Sequence, residues 1–248
     1  MKHIALRSKS MRAGDRPYTC PGLGDRLHEA FKSFQYGAAH KTKVTMHLTS
    51  DKYGKPHKKK SWAEIMDLFP ENSIDFKVWD VCNLPENEWL KYLEDQGIKA
   101  DLCWYKDTKH MHPNDFETAI EISKYLKNPV LLEPSELKMM DSKYVTVQWN
   151  STDPARNISS LLIDNIHGDL KNKGYEVVDI GEDPTTPLSK LSKILYNAKY
   201  HIGVDSGLMH LAMMYKKFKD IIIYNKVGGF VSHHLVRAKK NGVKIVPV

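Results

Sequence analysis

Cysteine is scarce in this chain of 248 residues and follows no binding pattern. Cys20, Cys82 and Cys103 form no CxxC pair, and their odd number leaves one thiol unmatched. This argues against a disulfide framework or a zinc ribbon and is typical of a reducing compartment. Long apolar runs are missing as well. The N-terminal segment MKHIALRSKSMR has no signal-peptide core, and no stretch approaches the ~20 apolar residues of a membrane span. We therefore expect a cytoplasmic protein.

Metal-binding patterns are also missing from the sequence. It contains no DxD motif, and the pairs His110 with His112 and His233 with His234 lack the carboxylate or cysteine neighbours of a metal site. No internal repeat or low-complexity tract is present. The sequence therefore predicts neither a bound metal nor a resident cofactor.

The net charge is positive, since 37 Lys and Arg residues stand against 30 Asp and Glu, which gives +7. A basic protein favours anionic partners such as nucleotide phosphates, phosphorylated glycans, an anionic membrane surface or nucleic acid. The basic loop at residues 51–60 has Tyr53 as its single aromatic residue. Single-stranded nucleic acid is bound by aromatic side chains combined with cations. We therefore do not expect nucleic acid as a binding partner. For the basic loop two interpretations stay open: peripheral contact with the inner membrane face, and a loop that is simply solvated.

Short apolar runs alternate with helical periodicity along the chain. In the C-terminal half, strands are predicted near residues 144–149, 175–180, 200–204, 220–224 and 243–246, and helices near 158–173, 188–197, 208–217 and 231–240. Such alternation implies βαβ crossovers and a parallel sheet covered on both faces. A weaker form of the pattern comes earlier, with strands near 3–7, 43–48, 74–79, 100–105 and 129–132 and helices from about 25, 61–69, 86–96 and 114–126. A polar linker near 133–142 separates the halves, so we predict α/β domains at residues 1–138 and 139–248.

The stretch NAKYHIGVDSGLMHLAMM, residues 197–214, contains the most informative turn. A buried strand runs directly into Asp205, Ser206 and Gly207, and apolar residues then follow at helical spacing. Ser206 is a natural N-cap, and Gly207 lets a ligand approach the backbone. The first turn of such a helix presents free N–H groups and a partial positive charge to an anion. An ordinary capped turn explains the same residues equally well.

A second glycine turn lies near the N-terminus. Gly22 and Gly24 bracket a predicted tight turn, and Asp25 follows at the start of a helix. A carboxylate at this position often serves only as a favourable charge at the helix N-terminus.

Two further loops follow predicted strands. Ser151, Thr152 and Arg156 come after the strand near 144–149, and Glu182 comes after the strand near 175–180. Ligands of open α/β sheets bind at the carboxyl ends of strands. Solvated loops are the alternative explanation for both segments.

The motif VDSGLMHLA resembles the D-(S/T)-G-x-x-H-x-A signature of heptosyltransferase-type glycosyltransferases. The segment Gly24-Asp25-Arg26-Leu27-His28 is similar to a G-D pair of the same family, and GLGDRL also resembles the GLGNxL opening of some fucosyltransferases. The resemblance implies a GT-B fold, in which two Rossmann-like parallel-sheet domains face each other across a cleft.

The resemblance also implies roles for these residues. Asp25 would be the general base that activates the acceptor hydroxyl. The remaining candidates would bind the donor: Ser151, Thr152 and Arg156 at its phosphates, Glu182 at its ribose, Asp205 at sugar or ribose hydroxyls, the backbone of Ser206, Gly207 and Leu208 at the diphosphate, and His210 at a phosphate or as a brace for the loop.

The resulting hypothesis is a metal-independent, inverting glycosyltransferase. It would transfer a sugar, with heptose as one candidate, from a nucleoside-diphosphate sugar to a glycan or lipid-linked hydroxyl acceptor. Two alternatives remain open from the sequence. One is a nucleotide-sugar epimerase or hydrolase of the same fold. The other is a non-catalytic protein that binds anions or nucleic acid.

Overall fold

The chain forms two compact units, Met1–Val130 and Leu131–Val248. The computed structural model describes residues 1–5, 23–50, 62–81, 84, 86–103, 129–134, 143–151, 154–183, 185–226 and 242–248. The predicted boundary between residues 138 and 139 lies outside these ranges. The predicted helices near 114–126 and 231–240 and the basic loop at 51–60 lie outside them too.

The first unit is built on a parallel sheet whose described strands follow the order β3-β2-β1-β4. The strands are β1 (Lys2–Ala5), β2 (Val44–Thr49), β3 (Ile74–Trp79) and β4 (Leu102–Cys103), and the described helices are α1 (Leu23–His40), α2 (Trp62–Met66) and α3 (Glu86–Asp95). Strand β2 is buried along its whole length, as is typical of an inner strand of a parallel sheet. Both of its faces therefore contribute to the core.

Helix α1 packs closely against β2 because a glycine lies at the contact. A Cβ added at Gly37 would lie 3.1 Å from Cγ2 of Val44, which is closer than ordinary van der Waals contact. Leu27, Ala30 and Phe31 of this helix recur at helical spacing and are buried. Burying an aliphatic or aromatic side chain of this kind stabilises a fold by roughly 1.5–3 kcal/mol.

The second unit is built on a parallel sheet with the order β6-β5-β7-β8-β9 among the residues described. Its strands are β5 (Tyr144–Gln148), β6 (Glu176–Asp179), β7 (His201–Gly203), β8 (Ile221–Asn225) and β9 (Lys244–Pro247), and its described helices are α4 (Ser160–Asn172), α5 (Leu188–Asn197) and α6 (Gly207–Tyr215). The predicted α/β class with two parallel sheets is therefore confirmed.

The helices of the second unit begin and end where local chemistry favours it. Ser159 caps α4, and its Oγ accepts a hydrogen bond from the Leu162 amide. Gly174, with φ of 80°, lies just after the end of this helix. Leu188, Leu191 and Leu195 of α5 recur at helical spacing and are buried. None of the helices within the described ranges is long and apolar enough to cross a membrane.

Two predicted features are wrong. Residues 129–132 form no strand. The Gln35 side chain instead donates to the Val130 carbonyl at 2.7 Å and accepts from the Val130 amide at 2.8 Å, which satisfies that backbone without a ladder. Helix α1 begins at Leu23, so Gly24 lies in its first turn and not in a tight turn before residue 25.

Candidate functional site

The order of the strands in the second sheet reverses at β5. Strand β5 comes first in the chain, β6 pairs with one side of it, and β7 pairs with the other. Ligands of open α/β sheets bind outside the carboxyl ends of the strands at such a reversal. The loop after β5 and the turn from Val204 to Ser206 after β7 both start at the carboxyl ends of these strands. The topology therefore indicates a candidate site here, and we call the loop after β5 together with the turn after β7 the β5–β7 corner.

Ser206 caps α6, as the sequence predicts. It has extended backbone angles, φ of −152° and ψ of 173°, and its Oγ accepts a hydrogen bond from the Met209 amide at 3.3 Å. Gly207 and Leu208 are partly exposed, whereas residues 209–215 are buried. No described residue accepts a hydrogen bond from the amides of Gly207 and Leu208. Their N–H groups and the helix dipole favour an anion at this end of α6.

Arg156 brings a cation to the same corner. It lies in the 3-10 turn Pro154–Arg156, and its Nη1 donates to the main-chain carbonyl of Asp205 at 3.1 Å. The same nitrogen lies 3.1 Å from Oδ2 of Asp205. The Asp205 side chain is 2% exposed and that of Arg156 is 20% exposed. The carboxylate therefore faces Arg156, while part of the Arg156 side chain still reaches solvent.

The loop after β5 folds back on itself. The Ser151 amide donates to Oδ1 of Asn157 at 2.9 Å, and Ser151 is partly buried. Thr152 lies outside the described residues. The bond to Asn157 closes the loop between β5 and α4. Arg156 lies in this loop and from there contacts Asp205 after β7.

Glu182 lies beyond the end of β6 and is exposed. In the described part of the chain it has no hydrogen bond or ion pair. Asp179, at the end of the same strand, is half-buried, and its Oδ1 accepts from the Gly181 amide at 2.7 Å. Burial raises the pKa of Asp179 above its usual value. The carboxyl edge of β6 therefore carries two acidic side chains in different environments.

His210 and the residues of the predicted N-terminal glycine turn complete the predicted set. His210 lies on α6 and is buried. Asp25 lies in the first turn of α1, in the first unit, and its side chain is outside the described part of the structure. Gly22 is outside it as well.

Sequence reasoning missed Gln148, which lies at the end of β5 and is 1% exposed. Its Oε1 accepts a hydrogen bond from Oγ of Ser206 at 2.6 Å. A signal was present, because Gln148 is a polar residue between Val147 and Trp149 in a predicted buried strand. Its partner, however, lies 58 residues further along the chain. No local pattern predicts that pairing.

Within the described ranges, no group of three or more His, Cys, Asp or Glu residues is placed to hold a metal ion.

Comparison with solved structures identifies the fold. The chain is similar to TibC from enterotoxigenic E. coli H10407, described as a bacterial iron-containing dodecameric glycosyltransferase, with a TM-score of 0.57 and 18% identity over 90% of this chain and 57% of TibC. A TibC heptosyltransferase structure in complex with ADP-D-β-D-heptose gives a TM-score of 0.54 and 17% identity, with the same coverage. This chain thus spans 57% of the length of TibC.

Two further structures match over the whole chain. A family 9 glycosyltransferase from Veillonella parvula DSM 2008 gives a TM-score of 0.53 and 11% identity, covering 100% of this chain and 85% of its own. The E. coli ADP-heptose LPS heptosyltransferase II gives a TM-score of 0.52 and 10% identity, covering 100% and 90%. No protein-family model matches, and no curated protein matches in sequence. The chain therefore has the GT-B fold of the heptosyltransferases, as the resemblance of its motifs implied.

Proposed function

We propose that this protein is a glycosyltransferase that uses a nucleoside-diphosphate sugar as donor and a hydroxyl group of a glycan or lipid-linked glycan as acceptor. The supporting observation is the corner at the β5–β7 reversal. There the capped N-terminus of α6 and the Arg156 guanidinium come together on a heptosyltransferase-type fold. The TibC complex with ADP-D-β-D-heptose makes an ADP-linked sugar the first donor to test.

In this proposal the second unit binds the leaving group. The amides of Gly207 and Leu208 donate to the diphosphate, and Arg156 balances part of its charge. Ser151 and Thr152 contribute from the loop after β5, Glu182 binds the ribose, and His210 braces the first turn of α6 from behind. Fixed donors and charges of this kind stabilise a leaving anion without reorganising during the reaction.

The first unit supplies the base. The Asp25 carboxylate takes the proton of the acceptor hydroxyl, and the oxygen attacks the anomeric carbon. The bond from that carbon to the diphosphate oxygen breaks, and its electron pair leaves with the nucleoside diphosphate. A single displacement inverts the configuration at the anomeric carbon. Placing the reactants in line supplies much of the acceleration.

A thermal-shift panel of ADP-, GDP-, UDP- and CDP-sugars tests the donor. A ligand at 100 times its Kd stabilises the folded state by about 2.7 kcal/mol, so one member of the panel is expected to raise Tm clearly. Arg156→Ala should reduce that shift. The matched control is Lys173→Ala, which removes an exposed cation near the start of β6, at the opposite edge of the sheet.

Two outcomes would contradict the proposal. One is the absence of any shift from the panel together with salt-dependent binding of an oligonucleotide, which would favour the non-catalytic alternative. The other is a shift accompanied by conversion or hydrolysis of the donor without any acceptor, which would favour an epimerase or hydrolase.

A further inference from the structure

Gln148 has a buried side-chain amide with a hydrogen bond at each end. Its Nε2 donates to the main-chain carbonyl of Asn150, and its Oε1 accepts from Oγ of Ser206 at 2.6 Å. A carbonyl oxygen can only accept, so the atom facing Asn150 must be the NH₂ group. The carbonyl end of the amide therefore faces Ser206, and the Ser206 hydroxyl must be the donor in that bond.

This assignment fixes what the Ser206 hydroxyl can do. It carries one proton, and that proton goes to Gln148. A lone pair of the same oxygen accepts from the Met209 amide at 3.3 Å. The hydroxyl therefore has no proton left for a phosphate oxygen. An anion at this corner would therefore be held by groups other than this hydroxyl, among them the first-turn amides and Arg156.

Gln148 is also held from both sides by neighbouring strands. Gly203 pairs with it in register, and a Cβ at that position would lie 2.5 Å from the Gln148 carbonyl oxygen. A Cβ at Gly181, beyond the end of β6, would lie 3.1 Å from Cγ of Gln148. The Val204 amide donates to the Gln148 carbonyl at 3.1 Å. The end of β5 is therefore fixed against the strand that leads into α6.

We propose that Gln148 is a positioning residue of the diphosphate site: it holds the Ser206 hydroxyl in its capping orientation, so that the amides of Gly207 and Leu208 are directed at the anion. This rests on the proposed function, because it names a residue that acts on the same site through Ser206. An unanchored serine hydroxyl would rotate among its rotamers and compete for the first-turn amides or for the ligand.

A double-mutant cycle tests the proposal. Gln148→Met, Ser206→Ala and the double variant are titrated with ADP, GDP, UDP and CDP by isothermal titration calorimetry. The matched control is Thr146→Val, which changes a fully buried polar residue two positions earlier on the same strand. Each single change should weaken binding of the nucleoside diphosphate by about tenfold or more. The double variant should bind no more weakly than the weaker single variant, since coupled residues are non-additive.

The control separates positioning from a general loss of stability. Thr146→Val should lower Tm but leave the affinity within about twofold of the wild type. Circular dichroism checks folding. If Gln148→Met does not fold, Gln148→Asn replaces it in the cycle, because it keeps an amide that is one methylene too short to reach both partners.

The outcomes distinguish this inference from the proposed function. A wild type that binds none of the four diphosphates overturns both. If the wild type binds a diphosphate, two results overturn the positioning role alone. One is a loss of affinity in the double variant that equals the product of the two single losses. The other is full affinity in the Gln148 variant. An equal loss of affinity in Thr146→Val does the same.

Discussion

Arg156 and Asp205 form an ion pair in which one partner is buried and the other reaches the surface. Nη1 of Arg156 lies 3.1 Å from Oδ2 of Asp205 and donates to the Asp205 carbonyl at the same distance. Because Asp205 directly precedes the N-cap of α6, the pair connects the loop after β5 to the first turn of that helix. We therefore expect a change at Arg156 to act on stability and, under the proposed function, on anion binding as well.

We predict that Arg156→Ala lowers the free energy of unfolding of the second unit by about 3 kcal/mol, the low end of the range for broken buried pairs, because the Asp205 carboxylate is left without its cation. Donor affinity should also fall. Urea unfolding and calorimetric titration measure the two effects. Arg156→Lys should restore only part of each, since an ammonium cannot reproduce the geometry of the guanidinium.

The double variant Arg156→Ala with Asp205→Asn separates the two effects. Removing the buried charge should recover much of the lost stability. Donor affinity should stay low if Arg156 contacts the diphosphate. Recovery of affinity together with stability would show that Arg156 serves only the fold.

Asp25→Asn should abolish transfer while leaving the donor-induced thermal shift intact. A general base typically contributes about 10²–10⁴-fold to a rate, and the amide keeps the shape of the side chain without its basicity. Product formation is measured with the donor that the panel identifies. Asp95→Asn, which changes an exposed acid at the end of α3, is the control and should retain activity. Undiminished transfer by Asp25→Asn would remove Asp25 from the mechanism.

Gly203→Ala should destabilise the second unit by about 1–3 kcal/mol, the usual cost of overpacking a core. The added methyl would lie 2.5 Å from the main-chain oxygen of Gln148, which cannot move without breaking the β5–β7 pairing. Gly168→Ala is the control, since a Cβ there meets nothing within 4 Å in the middle of α4. Alanine at that position should be neutral or stabilising by up to about 1 kcal/mol. Equal Tm values for the two variants would contradict the packing argument.

The stability of the second unit should depend on pH through His201. This residue is fully buried on β7, with Nδ1 3.1 Å from Oγ1 of Thr146. Burial, together with the charge of Lys216, lowers the pKa of His201 from 6.5 to about 3. Between these values the unfolded chain binds the proton and the folded chain does not. The stability contributed by neutral His201 is therefore complete above pH 6.5 and is lost as the pH falls toward 3.

The expected contribution of His201 is a decrease in the free energy of unfolding of up to about 1.4 kcal/mol per pH unit within that window. Urea unfolding of the wild type and of His201→Gln, each at about pH 7 and about pH 5, measures it. The difference between the two pH values should be smaller in the variant. The same pH dependence in both proteins would mean that His201 titrates alike in the folded and unfolded states.

Much of the second unit could be predicted from the sequence because its signals are local. Strands β5 to β9 begin and end within one residue of their predicted positions, since each is a short apolar run between turn residues. Helix α5 has the predicted bounds because Leu188, Leu191 and Leu195 repeat at helical spacing. The cap at Ser206 was predictable for the same reason, as its partner lies only three residues away.

The features that were missed depend on contacts between distant parts of the chain. The backbone of Val130 is satisfied by Gln35, 95 residues away, so an apolar run there did not become a strand. Gln148 and Ser206 are 58 residues apart, and Arg156 and Asp205 are 49 apart. Sequence spacing predicts neither pair. The fold brings them together at the carboxyl edge of the sheet.

Gly203 and Gly181, which both contact Gln148, should differ in the residues that homologues can carry at these positions. At position 203 the obstacle is the backbone itself, so no exchange at 148 can make room for a larger side chain. At position 181 the obstacles are two side chains, Cγ of Gln148 at 3.1 Å and Oδ1 of Asp179 at 3.3 Å, so a shorter residue at 148 removes the nearer one and leaves alanine a smaller adjustment at Asp179. Homologues with an altered residue 148 are thus the ones in which position 181 should be free to vary, while position 203 stays glycine throughout.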